Sequence, residues 1–142
     1  ALKPIEEVLT PEALAKATKY EISELASGYF ENNNGSFDKF IRLPKNFQLA
    51  PINSFKEIIF KNKQPQLLVF GNLKSVNTYH GGYEGNKGLL IKDINSFQNL
   101  TSLGIAPVNS QVKSSEVVKM KDKQLLLIIQ NNDSIKQYLT QN

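Results

Sequence analysis

The feature that most constrains this chain is an internal repeat. The stretch KNKQPQLLVFGN, residues 61–72, returns as KDKQLLLIIQNN at residues 121–132. We call this pairing of the two stretches the sequence alignment; it pairs Lys61 with Lys121, Lys63 with Lys123, Gln64 with Gln124, Leu67 with Leu127, and Asn72 with Asn132. A repeat with a fixed spacing of tens of residues restricts the fold to architectures built from similar stacked units.

Two further blocks recur in the same order. In the sequence alignment Ser36-Phe37 pairs with Ser96-Phe97, and Leu43 pairs with Leu103. The APIN stretch at 50–53 returns as APVN at 106–109, so the register slips by four positions there and then recovers. Chance similarity in a chain rich in Lys and Asn would not keep this order. Two similar units therefore cover about residues 28–73 and 88–133.

The segments between the turns are short and rich in branched and aromatic side chains, which is typical of β-strands. They are residues 55–60, 67–70, 88–94, 116–120 and 125–130. The apolar runs LLVF and LLLII predict strands that are buried on both faces. An Asn34-Gly35 pair between aromatic residues predicts a hairpin turn within residues 20–43. A unit of this size with about four short strands matches one β-propeller blade. We therefore predict an all-β fold with two propeller-like blades, each an antiparallel four-stranded sheet.

A short helix is predicted before the first unit. Thr10 is a suitable N-cap residue and Pro11 suits the first helical position. The chain is long enough for one ordinary domain. The predicted organisation is a single domain of residues 1–142, with a helical segment (1–19), a first blade-like repeat (20–73), a Gly/Tyr loop (74–87) and a second blade-like repeat (88–142).

Composition excludes several classes of function. The net charge is +4, but among the 17 basic residues only Arg42 is an arginine, and the lysines are scattered along the chain. Nucleic-acid recognition is not expected, because it relies mainly on clustered Arg and Lys. The chain has no cysteine, which removes disulfides, thiol catalysis and thiolate metal sites. The longest apolar run, 125–129, is too short for a membrane span. Because the chain begins at Ala1, we expect an export signal or a larger upstream portion in the natural protein.

Four stretches together resemble the C-terminal end of bacterial FG-GAP/VCBS-repeat proteins, the integrin-α-like β-propellers associated with an ASPIC/UnbV module. The stretches are SGYFENNNGSFDKFIRLP (27–44), LLVFGN (67–72), GGYEGNKGLLI (81–91) and LLLIIQNNDSIKQYL (125–139). The matching positions are Tyr29 to Asn32, Gly35, Phe37, Leu43-Pro44, Gly71-Asn72, Gly82, Tyr83, Gly88 and Asn131 to Asp133. The resemblance implies an exported protein of the bacterial periplasm or cell surface, and none of its motifs is catalytic.

The chain departs from this family where calcium loops are found. FG-GAP blades commonly carry an acidic D-x-[D/N]-x-D-G loop before the strand that is LLVF here. Calcium requires several oxygen ligands, mostly carboxylates, close together. This chain has KNKQPQ at residues 61–66, without a carboxylate, and its second copy has only Asp122 between two lysines. We therefore predict no calcium, no other metal and no cofactor.

The single histidine, His80, lies in the Gly- and Tyr-rich loop. A catalytic hypothesis makes His80 a general base oriented by Glu84, beside the Tyr79 and Tyr83 hydroxyl groups. The structural interpretation is a loop between blades whose aromatic residues pack at its base. No nucleophile motif or second metal ligand accompanies the histidine, so a binding loop is the better prediction. The predicted binding residues are Asn72, Tyr79, His80, Tyr83 and Glu84.

The asparagines at 32–34 and 131–132 have two interpretations. They can contact sugars, or they can be turn residues that satisfy local backbone groups. With no catalytic motif in the sequence, we predict a non-catalytic binding or scaffolding module for a protein or glycan partner. Two blades cannot close a ring, so that partner can be the rest of a larger propeller or a second copy of the chain. The alternative is a small-ligand binder or hydrolase centred on the Tyr79–Glu84 loop.

Overall fold

A computed structural model describes residues 3–60, 64–93 and 96–141. Strands dominate the chain and are joined by turns and short 3₁₀ helices, at Ile5–Glu7, Lys45–Phe47 and Leu100–Leu103. The strands are β1 (Gly28–Phe30), β2 (Phe40–Arg42), β3 (Ile52–Ile58), β4 (Gln66–Gly71), β5 (Leu89–Asp93), β6 (Ser96–Asn99), β7 (Val112–Lys119), β8 (Lys123–Gln130) and β9 (Lys136–Gln141). The only α-helix in the described ranges is α1 (Pro11–Lys16).

The strands form three antiparallel sheets, and every pair of neighbours is consecutive in the chain. The sheets are β1-β2, β3-β4-β5-β6 and β7-β8-β9. The predicted all-β antiparallel fold with a short N-terminal helix is therefore confirmed. The strand numbers differ from two sheets of four, because one sheet has four strands, one has three and one has two. Strand β9 pairs with β8 as β5 pairs with β4. In the described chain, no strand pairs with β9 as β6 pairs with β5.

The four-stranded sheet combines the two sequence repeats. Strands β3 and β4 come from the segment predicted as the first repeat, and β5 and β6 come from the second. The loop at 74–87 joins neighbouring strands within this sheet, instead of separating two sheets. The sequence repeat and the sheet are thus out of phase, because the repeat begins in the middle of a sheet.

The four-stranded sheet is covered on both faces. Leu68 and Phe70 of β4 belong to a core shared with the β7-β8-β9 sheet, while Val69 belongs to a core shared with Leu43 and Phe47 beside the β1-β2 sheet. All three β4 residues are fully buried. Successive residues of a strand point to opposite faces, so β4 lies between two layers. The prediction that LLVF is buried on both faces is confirmed.

The same prediction for LLLII is wrong. Leu126 and Ile128 of β8 are fully buried against the four-stranded sheet. The alternate residues Leu125, Leu127 and Ile129 are only half-buried. No third layer covers the second face of β8 in the described chain, so only every other side chain is removed from water.

The structural repeat differs from the sequence alignment by one position in β8. The backbone N–H of Asn72 donates to Pro51 O (3.1 Å), and the backbone N–H of Asn131 donates to Gln111 O (2.8 Å). The two acceptors, Pro51 and Gln111, are 60 positions apart, as the aligned stretches are, but the two donors, Asn72 and Asn131, are only 59 positions apart. The alignment of Asn72 with Asn132 is therefore wrong. A shift of one position moves side chains to the opposite face of a sheet.

The alignment of Leu67 with Leu127 is wrong for the same reason. The register shifts of the two hairpins do keep the spacing of 60 positions, at Ile52/Ser54 and at Val112/Ser114. The APIN echo has no structural counterpart, because Ile52 begins β3 whereas Val108 lies in the loop before β7.

The predicted Asn34-Gly35 turn is confirmed. Asn33 and Ser36 exchange two backbone hydrogen bonds (2.8 and 3.1 Å) around it. Both turn residues have positive φ, 51° for Asn34 and 97° for Gly35, which these residue types tolerate. The strand predicted from residue 20 onward begins only at Gly28. Among the described residues, no strand pairs with residues 20–27, and β1 pairs with β2 alone.

The predicted N-terminal helix is also confirmed. Thr10 Oγ1 accepts a hydrogen bond from Ala13 N (3.2 Å), and Pro11 is the first helical residue. The helix is short and none of its residues is buried. It therefore contributes little to the core.

Candidate functional site

The loop predicted to bind a ligand is anchored by Asn72. This residue is fully buried and has a φ of 78°. Its side-chain Nδ2 donates to Asn86 O (2.7 Å) and lies 3.3 Å from Val108 O and from Ser110 O. Its Oδ1 accepts from Asn86 N (2.9 Å). Asn72 thus closes the base of the loop against the segment before β7, and its amide is occupied by the protein itself.

Above this base, Leu73 and Tyr83 exchange two backbone hydrogen bonds, of 2.9 and 2.8 Å. A tight turn follows at the tip, where His80 N donates to Asn77 O (2.9 Å) and Tyr79 N donates to Asn77 Oδ1 (3.1 Å). Tyr79 is 91% exposed, and His80 is also exposed. These two side chains therefore lie at the tip of the loop and do not line a cavity in the described residues.

The orienting contact proposed for His80 is not formed. Glu84 pairs with Lys74 instead, with 3.5 Å between Nζ and Oε2. The two side chains are 42% and 45% exposed, so this ion pair is solvated and contributes little to stability. Glu84 therefore links the two sides of the loop through Lys74. It does not orient His80, as the catalytic hypothesis required.

Tyr83, one of the predicted binding residues, lines a cavity. An open groove of about 430 Å³ lies between Leu73 and Tyr83 on one side and residues 25–27 and 48–52 on the other. The polar side chain of Gln48 in this groove is already used, because it donates to Ser27 O (2.8 Å) and accepts from Ser27 N (2.7 Å). The rest of the lining presents both polar and apolar surface, and the groove is open, with Leu25 87% exposed.

A second surface was not predicted from the sequence. On the exposed side of the β7-β8-β9 sheet, five aliphatic residues form a patch that we call the outer face: Val118, Leu125, Leu127, Ile129 and Leu139. Glu116 and Gln137, the register partners of Leu127, lie on the same side of the sheet. Val118 is 46% exposed and Leu139 is 57% exposed, while the three β8 residues are half-buried. Contiguous apolar surface of this kind marks an interaction site more often than scattered apolar residues do.

The outer face has a covered counterpart inside the same molecule. After the shift of one position in β8, Leu127 corresponds to Leu68 and Ile129 corresponds to Phe70. In the four-stranded sheet both counterparts are fully buried against the next layer. The run LLLII was the signal available in the sequence, but the sequence alignment placed its residues on the wrong face.

A third surface is a polar cavity of about 310 Å³ where three loops meet. The loops follow β4, precede β7 and follow β8. Its lining includes Lys74, Ser110, Gln111, Asn131, Asn132 and Asp133. Of these residues, the sequence pointed only to the asparagines as sugar contacts. Gln111 carried no motif that would have identified it.

Asp133 at this cavity is held as a carboxylate. The Ser110 hydroxyl donates to Asp133 Oδ2, and the backbone N–H of Ser134 donates to Oδ1 (2.7 Å). These two hydrogen bonds lower the pKa of Asp133 below its ordinary value. The side chain is therefore ionised at neutral pH and accepts hydrogen bonds only.

A metal site requires several ligating side chains close together. Within residues 3–60, 64–93 and 96–141, no group of three or more His, Cys, Asp or Glu side chains is placed to hold a metal ion. The part of the KNKQPQ stretch at residues 61–63, where relatives in the resembled family have calcium ligands, lies outside the described residues. None of the helices in the described part of the chain has the length and apolar character that a membrane crossing requires.

No protein-family model matches this chain, and neither a curated protein nor a solved structure matches it. The resemblance to FG-GAP/VCBS-repeat proteins stays a prediction from the sequence. Function is therefore argued from the three surfaces alone.

Proposed function

We propose that this chain is a non-catalytic scaffolding module of the β-propeller type, from an exported bacterial protein, and that its outer face packs against a further β-sheet layer. One observation carries the proposal: the outer face repeats, at Leu127 and Ile129, a surface that is buried between two layers at Leu68 and Phe70. An apolar surface that is buried in one copy of a repeat gains the same hydrophobic stabilisation when it is covered in the next.

The chemistry of the outer face favours a protein over a glycan. Its five aliphatic side chains offer no hydrogen-bond partners to the hydroxyl groups of a glycan, and the carboxylate of the neighbouring Glu116 is already paired with Lys56. The partner layer is the neighbouring part of a larger propeller or, in the alternative, a second copy of this chain. A second copy covers this face either with its own outer face, which closes a two-fold dimer, or with a different surface, which gives a heterologous contact able to extend.

The test compares the chain with Leu127→Glu and Leu139→Lys by sedimentation over a concentration series and by binding of an apolar fluorescent dye. The unmodified chain is expected to bind the dye. Concentration-dependent association identifies a second copy as the partner, whereas a dye-binding monomer identifies a neighbouring segment of a larger protein. Both variants should reduce dye binding and any association.

Ile5→Lys is the matched control, because Ile5 is 54% exposed and lies in the N-terminal 3₁₀ helix. It should leave dye binding and association unchanged. A compact monomer that binds no apolar dye would count against the proposal. So would an equal change in dye binding and association for Leu127→Glu, Leu139→Lys and Ile5→Lys.

A further inference from the structure

The polar cavity where three loops meet, which we call the amide pocket, has donors and acceptors that the fold does not use. Its volume of about 310 Å³ lies at the lower end of the ~300–1,000 Å³ range of small-ligand sites, which suits a ligand of one or two sugar rings. It uses none of the residues of the outer face.

Gln111 is the central residue of the amide pocket. The residue is only 7% exposed, and its Oε1 accepts a hydrogen bond from Lys74 N (3.2 Å). Its backbone O accepts from Asn131 N (2.8 Å), which fixes the residue against the loop after β8. In the described part of the chain, the Nε2 group of Gln111 has no hydrogen-bond partner. Gln111 lines the cavity, so this donor group is accessible there to a ligand or to water.

The loop after β8 contributes two more amides. The side chains of Asn131 and Asn132 line the pocket and make no hydrogen bond to any described residue. Asn132 has a φ of 52°, a left-handed conformation that an asparagine in a tight turn tolerates. The turn interpretation therefore explains the backbone conformation of Asn132. The side-chain amides of Asn131 and Asn132 remain available to a ligand.

Asp133 adds a fixed acceptor to these donors. Its Oδ2 accepts from the Ser110 hydroxyl, and its Oδ1 accepts from the backbone N–H (2.7 Å) and the hydroxyl (3.5 Å) of Ser134, whereas a carboxylate has about four acceptor sites in total. The ionised side chain can therefore accept hydrogen bonds from a ligand without giving up those that position it.

A sugar matches this set of groups better than an anion or an apolar ligand. Each hydroxyl of a sugar donates one hydrogen bond and accepts others, so neighbouring hydroxyls need an amide N–H and a carboxylate side by side. An anion would be repelled by Asp133, and the cation in the lining, Lys74, is already paired with Glu84. An apolar ligand would leave the amides unpaired. We propose that the amide pocket binds a neutral carbohydrate, whose adjacent hydroxyl groups are held by Gln111, Asn131, Asn132 and Asp133.

The experiment titrates the full chain with glucose, galactose, mannose and N-acetylglucosamine, each to a high millimolar concentration, and follows the side-chain amide signals of Gln111, Asn131 and Asn132 by NMR. At least one sugar should shift all three amides in a saturable way. Asp133→Asn and Asn132→Gly should each weaken that binding by about tenfold, as expected for one lost hydrogen bond to a ligand. Asn132→Gly keeps the positive φ accessible and removes only the amide side chain.

Asn34→Gly is the control, since Asn34 has the same left-handed conformation in the β1-β2 turn and lies outside the pocket. Its sugar affinity should equal that of the unmodified chain. The proposal is overturned if no sugar shifts the three amides, if the shifts survive both pocket substitutions, or if inorganic phosphate shifts these amides and the sugars do not. None of these outcomes depends on dye binding or association at the outer face, so the two proposals can fail separately.

Discussion

Ser54 of β3 and Ser115 of β7 meet in the buried contact between two sheets, with their hydroxyl oxygens 2.7 Å apart. They are 8% and 3% exposed. Each hydroxyl satisfies the other where water has been excluded, so the pair allows two polar side chains to lie in an apolar interface. The pair also fixes how the two layers align, because β3 and β7 run side by side there.

Replacing one serine should therefore cost more than replacing both. Ser54→Ala or Ser115→Ala leaves the other hydroxyl buried without a partner, and each is expected to destabilise the fold by about 1–3 kcal/mol. The double variant removes both polar groups and should cost less than the sum of the two. Urea unfolding of the four proteins gives this coupling directly. Strictly additive effects would contradict the pairing.

Asn72 is expected to be the most sensitive polar residue of the long loop. Asn72→Ala removes the buried hydrogen bonds to Asn86 and Val108 and places an alanine at a φ of 78°, for an expected cost of about 2–4 kcal/mol. Denaturant unfolding measures this cost, and faster hydrogen exchange at Tyr83 and Asn86 should accompany it.

The control for this variant is Asn34→Ala. Asn34 also has a positive φ but an exposed side chain, so only the backbone cost of about 1–2 kcal/mol is expected. An equal loss of stability in both variants would mean that the backbone conformation alone, and not the side-chain hydrogen bonds, makes Asn72 important.

The sequence predicted those parts of the fold that depend on residues close together in the chain. The helix start at Thr10 and Pro11 and the turn at Asn34-Gly35 need only a side-chain cap and two tolerant φ angles, and both are present. The burial of LLVF also followed from an apolar run. The same rule failed for LLLII, because an apolar run does not show whether a further layer is present to cover it.

The remaining features depend on residues far apart in the chain. Residues 20–27 have an apolar and aromatic pattern, but no strand lies beside them, and pattern alone cannot supply a partner. The one-position shift in β8 arises because the two hairpins have connections of different length, which an alignment at one fixed spacing cannot detect. Gln111 carries no motif, and its importance comes from Lys74 and Asn131, which approach it from other loops.

The two sides of β8 should respond differently to the same substitution. Leu126 is fully buried, so Leu126→Ala should destabilise the fold by about 2–5 kcal/mol. Leu127 is half-buried on the outer face, and Leu127→Ala should cost about 1 kcal/mol or less because little area returns to water. Thermal and urea unfolding of the two variants test the assignment of faces. A reversed order would restore the sequence alignment in β8.

The last prediction concerns Glu24, which ties the segment before β1 to β2. Its Oε1 accepts from Ala26 N (2.7 Å), and its Oε2 forms an ion pair with Arg42 (2.8 Å). The Ala26 N–H and then the Arg42 guanidinium lower the pKa of Glu24 below the ordinary value of 4.5. Because the pKa is lower in the folded state, the stabilising effect is fully present above pH 4.5 and is lost as the pH falls through the folded-state pKa.

NMR titration of the Glu24 carboxyl carbon measures this pKa directly. Arg42→Gln should raise the pKa only part of the way towards 4.5, because the larger contribution from the Ala26 N–H remains. Glu24→Gln should remove the corresponding acid-dependent loss of protection at Ala26 from hydrogen exchange. An unshifted pKa in the unmodified chain, or a full return to 4.5 in Arg42→Gln, would show that the backbone contact with Ala26 does not hold in solution.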